Sequence, residues 1–82
     1  MSIYSFFNNT LGKRCLVFAK NKREARQILS LVDHDQDLMQ LDEFCAFTLL
    51  RDGYGAYRRI NTITGAYNEF FTFNDFLKGS KQ

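Results

Sequence analysis

The chain has no proline and no tryptophan, one histidine, two cysteines, and five glycines that never cluster. Each scarcity closes off a class of function. With a single imidazole, any Ser-His-Asp or Cys-His arrangement would have to be built on His34. That residue stands among Asp33, Asp35 and Asp37, whose carboxylates favour the imidazolium, a poor state for a general base. Cys15 and Cys45 lie 30 residues apart and form no CxxC pair, which argues against a zinc site. Each sits in an apolar run, "RCLVFA" or "FCAFTLL", and reads as a buried, reduced thiol. The glycines stand at turn positions, so no phosphate-cradling loop is present. Adjacent carboxylates such as Asp42 and Glu43 are common on surfaces. The chain therefore reads as a non-enzyme with no cofactor.

No apolar run reaches the roughly 18 residues that a membrane helix needs. The start, "MSIYSFFNNTLGK", lacks the cationic segment and long apolar core of a secretion signal, so the expected compartment is the cytoplasm. Missing proline has a different consequence. Nothing in the apolar strands bars edge-to-edge pairing, and a homo-oligomer built through a sheet edge is open to this chain.

What is present fits one domain, residues 1–82, with a core only just large enough to hold without staples. Hydrophobic residues make up 45% of the sequence, which excludes a disordered chain. The net charge of +2 is small but unevenly placed. Over residues 1–32, Lys13, Arg14, Lys20, Lys22, Arg23 and Arg26 face Glu24 alone. Over 33–43, Asp33, Asp35, Asp37, Asp42 and Glu43 are unopposed. A protein that coats nucleic acid carries a larger positive excess, and a DNA mimic is strongly acidic; neither applies.

The run "DHDQDLMQLDEF" (33–44) places aspartate at the first, third and fifth positions of an EF-hand loop. The sixth position, where the bend requires glycine, is Leu38, and the twelfth, which requires a bidentate glutamate, is Phe44. Without the bend and the strongest ligand, the segment reads as an acidic, solvated loop and no metal is expected there.

"IYSFFN" (3–8) reads as a strand, with a helix over 3–11 capped by Gly12 as its rival. "NNTLGK" reads as a turn in which Asn9 and Gly12 can take positive φ. "KRCLVFA" (13–19) is a second, central strand. Over 21–32, Ala25, Ile28, Leu29 and Val32 recur at helical spacing, with Asn21 as N-cap and Glu24 closing a capping box. "FCAFTLLR" (44–51) is apolar on both alternations and reads as a buried strand, although its helix formers and Gly53 also suit a helix. Asp52-Gly53 favours the strand, as a two-residue hairpin turn into "YGAYRRINT" (54–62). Thr64-Gly65 turns the chain into "AYNEFFTF" (66–73), and Asn74 caps a short helix over 75–78. The expected fold is α+β: an antiparallel sheet of four to five strands, one amphipathic helix on a face and a short C-terminal helix, in the order ββαβββα. The other face is left partly covered, by the last helix or by tyrosines.

Two surfaces carry binding chemistry. Lys20, Lys22, Arg23 and Arg26 gather at the start of the first helix, where cations oppose the helix dipole and suit an anionic partner. In the second half, Tyr54, Tyr57 and Tyr67 lie near Arg58 and Arg59, residue types enriched in interface hot spots and able to stack on nucleic acid. Along a regular strand, Arg58 and Arg59 point to opposite faces. In the bland alternative, the tyrosines cap the sheet core and the basic residues are simply solvated.

The run "RCLVFAKNKREARQIL" passes from strand through an alanine and a short basic turn into a helix containing Glu-Ala. In this pattern, residues 1–32 resemble small phage- and mobile-element-encoded proteins, several anti-CRISPR proteins among them. The resemblance implies a compact cytoplasmic α+β protein that inhibits a host defence complex stoichiometrically, by blocking it. It carries over no site residues. The expected function is therefore a non-enzymatic module whose partner is a protein or ribonucleoprotein complex. A small nucleic-acid-binding domain, with Lys and Arg on phosphates and Tyr stacked on bases, is the alternative, and no membrane is involved.

Overall fold

The computed structural model describes residues 1–62 and 65–79, with side chains for 1–61 and 68–78. Strands β1 (Ser2–Asn8) and β2 (Lys13–Ala19) form an antiparallel hairpin with Ser2 opposite Ala19 and Asn8 opposite Lys13. Asn8 closes the turn: its carbonyl accepts from the Gly12 N–H at 2.8 Å and its Oδ1 from the Leu11 N–H at 3.1 Å. Gly12 takes φ 68°, which a residue with a Cβ adopts only with strain. Asn9 does not take positive φ; its N–H and side-chain amide donate to Asp33 instead.

Helix α1 (Lys22–Ile28) begins as the capping pattern requires, with the Glu24 N–H donating to Asn21 Oδ1 at 2.8 Å. The Glu24 carboxylate reaches one residue farther back than in a standard capping box, to the Lys20 N–H at 3.1 Å. The helix is shorter than the 21–32 expected. Its apolar face continues past its end because tight turns, Ser30 N–H to Gln27 and Val32 N–H to Leu29, carry Val32 back onto the same core.

Strand β3 (Met39–Leu41) pairs antiparallel with β1. Three residues are too few to show an alternation, and sequence reading passes over them. The next segment corrects the expectation of a strand at 44–51: it is helix α2 (Glu43–Arg51). Asp42 caps it, accepting from the Cys45 N–H at 2.8 Å, with Glu43 in the first turn and Arg51 in the last. Asp52-Gly53 ends this helix rather than turning a hairpin. Gly53, at φ 109°, donates to the Leu50 carbonyl and Tyr54 to that of Leu49, both at 3.1 Å. These two bonds form a Schellman closure. Apolar residues fall on both alternations because Ala46, Phe47, Leu49 and Leu50 cover a broad helical arc.

Strands β4 (Ala56–Thr62) and β5 (Gly65–Phe71) pair antiparallel from Ala56 opposite Phe71 to Thr62 opposite Gly65; the expected turn at Thr64 lies outside the described residues. Helix α3 (Phe73–Gly79) is capped two residues earlier than expected, by Thr72 rather than Asn74, through the Thr72 N–H and hydroxyl on Asp75 Oδ2, both at 3.0 Å.

The fold is α+β, with a five-stranded sheet in the order β3-β1-β2-β4-β5. The element order is ββαβαββα, so the sheet is mixed: α1, β3 and α2 form a crossover that returns β4 parallel to β2. Both faces are covered. On one, α1 buries Ala25, Ile28 and Leu29 against Tyr4, Phe6, Cys15 and Val17. On the other, Ala46 and Leu50 of α2, with Phe73 and Phe76 of α3, pack on Ile3, Leu16, Phe18 and Phe71. Strand β2 is buried on both sides, as a central strand requires. Each of these large side chains contributes about 1.5–3 kcal/mol of transfer free energy, and the second face is closed by α2 together with the expected last helix, α3, with Tyr54 packed beside them.

Candidate binding cleft

The parallel pairing of β2 and β4 is short. The Leu16 N–H donates to the Gly55 carbonyl at 2.9 Å, Leu16 lies opposite Ala56 and Val17 opposite Tyr57, and there the ladder ends. Strand β2 continues to Ala19 held by β1, and β4 continues to Thr62 held by β5. The two strands part, and a cleft of about 640 Å3 opens between them. That volume lies within the range of ligand sites, roughly 300–1,000 Å3.

Phenylalanine forms the floor. The Phe18 ring meets Phe71 edge-on at 5.3 Å and Phe47 at 6.2 Å, and Phe47 lies 5.5 Å from Phe76. Lys20, Arg58 and Arg59 form the rim, with Glu24 as the one carboxylate among the described lining residues. The Arg58 guanidinium lies over the Phe71 ring, 4.5 Å from its centroid, and its Nε contacts Glu69 at 2.7 Å. Arg59 leans onto α1, toward Gln27 at 3.3 Å and Glu24 at 3.9 Å. The two arginines do project from opposite faces of β4. Both reach the cleft because its lining is drawn from both faces of the sheet, Glu24 of α1 on one and Phe47 of α2 and Phe76 of α3 on the other.

The other expected site residues are distributed unequally. Lys22, Arg23 and Arg26 are exposed on α1, and Lys20 joins this basic surface to the rim. Tyr54 is half-buried, packed on the α2 side of the sheet. Tyr57 belongs to the opposite core, its ring against Phe6 and Phe70 and its hydroxyl accepting from Asn8 Nδ2 at 3.0 Å. Burial pushes its phenol above the ordinary value, against a smaller opposing effect of the Asn8 bond. The expectation that these rings reach outward is corrected for Tyr54 and Tyr57: packing takes them up. The Tyr67 side chain lies outside the described residues.

The acidic loop has its own task. Asp33 receives two bonds from Asn9, the Asp35 N–H donates to the Phe7 carbonyl, and His34 pairs with Asn8 in an isolated bridge. His34 Nδ1 lies 2.7 Å from the Val32 carbonyl, and its ring meets Phe6 edge-on. The loop thus packs on the β1–β2 hairpin. Cys15 is buried as expected, but Cys45 is exposed, because on helix α2 it falls outside the apolar arc.

Sequence reading missed the floor of the cleft. Phe18 and Phe47 lie in segments that read as buried strands, and Phe71 and Phe76 in the expected last strand and helix, but their exposure to a common cleft depends on where β2 and β4 part. That follows only once 43–51 is known to be a helix and β4 to run parallel to β2. No family model matches the chain, no curated protein matches it, and no solved structure matches it.

Proposed function

We propose that the chain is a non-enzymatic binding module for an acidic protein surface, gripped by the cleft between β2 and β4. The supporting observation is the convergence of Lys20, Arg58 and Arg59 over a floor of phenylalanine. Apolar area gives such a contact its affinity, and the guanidinium groups select carboxylates and speed association. The exposed Lys22, Arg23 and Arg26 extend the same charge along α1 and steer the partner toward the cleft.

A protein partner suits this surface better than nucleic acid. Tyr4 is buried, and Tyr54 and Tyr57 are packed, so they offer no outward stacking platform for bases. The narrower reading, stoichiometric blocking of a CRISPR-type defence complex, rests on the sequence resemblance of residues 1–32. A cytoplasmic site of action is part of the proposal; the two free thiols suit a reducing compartment.

Fluorescence anisotropy with single- and double-stranded oligonucleotides at low and high salt separates the two partner classes. The protein reading expects no binding at low salt, together with a stoichiometric complex in affinity capture that Arg58→Ala/Arg59→Ala abolishes. Tight oligonucleotide binding that weakens steeply with salt would establish the alternative.

A further inference from the structure

The exposed backbone of β4 extends the reading of the cleft as a protein site, on which the following inference rests. In a parallel ladder, the N–H and C=O of one residue point to the same neighbour, and successive residues alternate between neighbours. Gly55 gives its carbonyl to Leu16, and Tyr57 lies opposite Val17. The backbone groups of Arg59 and Asn61 therefore point toward β2 as well. Opposite them, however, β2 has already parted from β4, and both residues line the cleft. Their neighbours Arg58 and Ile60 turn to β5. Strand β4 thus presents a short open edge inside the sheet, where unpaired backbone groups invite an added strand.

We propose that the cleft takes one extended segment of the partner as an inserted strand hydrogen-bonded to Arg59 and Asn61, with apolar and acidic residues in alternation. Successive side chains of a strand point to opposite faces of a sheet. The lining contributed by the two faces of the sheet matches that alternation. On the α2 and α3 side lie Phe18, Phe71 and Phe76, which accept apolar side chains, with Arg58 over the Phe71 ring. On the α1 side lies Arg59, which accepts a carboxylate, while Lys20 stands at the rim. Glu24 and the contact between Arg59 and Glu24 set the selection. A basic segment meets the Arg59 cation there, whereas an acidic one replaces Glu24 as the partner of Arg59. Backbone bonds supply register and the alternating pockets supply specificity, the mode by which strand addition recognises peptides.

The test uses the intact protein labelled with 15N and an acetylated, amidated peptide of sequence DLEFD. Two further versions of the peptide are N-methylated, one at the odd-numbered and one at the even-numbered amides. Lysines replace the acids in a fourth peptide, and a short oligothymidylate is included. DLEFD is expected to shift the Arg59 and Asn61 amides and to slow their hydrogen exchange roughly tenfold or more. One methylated version and the lysine peptide should do neither, and oligothymidylate should be weaker. Equal binding of both methylated peptides, shifts elsewhere on the surface, or no shift at all would overturn the inserted strand. So would tighter binding of oligothymidylate at the same amides. If DLEFD fails while capture of a partner still depends on Arg58 and Arg59, the strand mode falls and the protein-binding surface stands. If the capture fails as well, the surface itself is wrong.

Discussion

Asn8 Nδ2 donates to the hydroxyl of Tyr57 at 3.0 Å, joining residues 49 positions apart in the chain. Asn8 is buried, and its remaining polar groups close the turn of the first hairpin. The bond therefore fastens β4 to the β1–β2 unit on the α1 side, beyond the place where the β2–β4 ladder is short. Replacing Tyr57 with phenylalanine leaves the Asn8 amide buried without its partner, at a cost of about 1–3 kcal/mol. Urea denaturation should show a lowered midpoint with an unchanged slope. An unchanged midpoint would mean that the bond contributes nothing. Tyr57→Ala removes the ring as well and costs more, so it tests folding and not partner binding.

The same region sets an alkaline limit. Burial pushes both the Cys15 thiol and the Tyr57 phenol up, and the Asn8 contact only partly offsets it. For each group, the folded value lies above the unfolded one, about 8.5 for a thiol and about 10 for a phenol. Their contribution to stability is complete below those unfolded values and is lost as pH rises through the folded ones. Melting temperature should decline from roughly pH 9 upward, and the decline should be shallower in Cys15→Ala and Tyr57→Phe. Parallel slopes in all three proteins would contradict this.

Thiol labelling reports on helix α2. Cys45 is exposed and Cys15 buried, so the native protein should react once with a chromogenic disulfide and a second time only on unfolding. The Asp42 carboxylate, by hydrogen bond and by charge, pushes the Cys45 thiol up and holds its thiolate fraction low at neutral pH. Asp42→Asn should speed the labelling at pH 7 while keeping a capping side chain. Two slow thiols in the native protein would place 44–51 in a buried strand instead.

Much of the fold was legible because local chemistry and tertiary packing agreed. Lys13–Ala19 is apolar at every position from Cys15 onward and became the doubly covered central strand. Asn21 and Glu24 marked the start of α1 because a cap is a short-range bond that needs no tertiary information. Reading failed at 44–51, where a broad apolar arc satisfies both the strand and the helix pattern, and where Asp52-Gly53 serves equally as a hairpin turn and as a helix end. That one segment decided the rest. With a strand there, β4 would pair with it, the second face of the sheet would need the tyrosines, and no cleft would open beside β2. Arg58 and Arg59 were legible as candidates from their chemistry alone; Tyr57 was not legible as a core residue, because its partner Asn8 is distant in the chain.

The most direct test of the cleft is calorimetric titration of a purified partner into wild-type protein and into Arg58→Ala/Arg59→Ala. Both arginines are partly exposed, and ion pairs of that kind contribute about 0–1 kcal/mol to folding, so the variant should stay folded. Charge-assisted bonds to the partner's carboxylates contribute about 1.5–3 kcal/mol each. The expected result is an affinity loss of about a hundredfold or more at unchanged melting temperature. Affinity within about twofold of wild type in a variant shown to be folded would contradict it and place the binding surface elsewhere on the molecule.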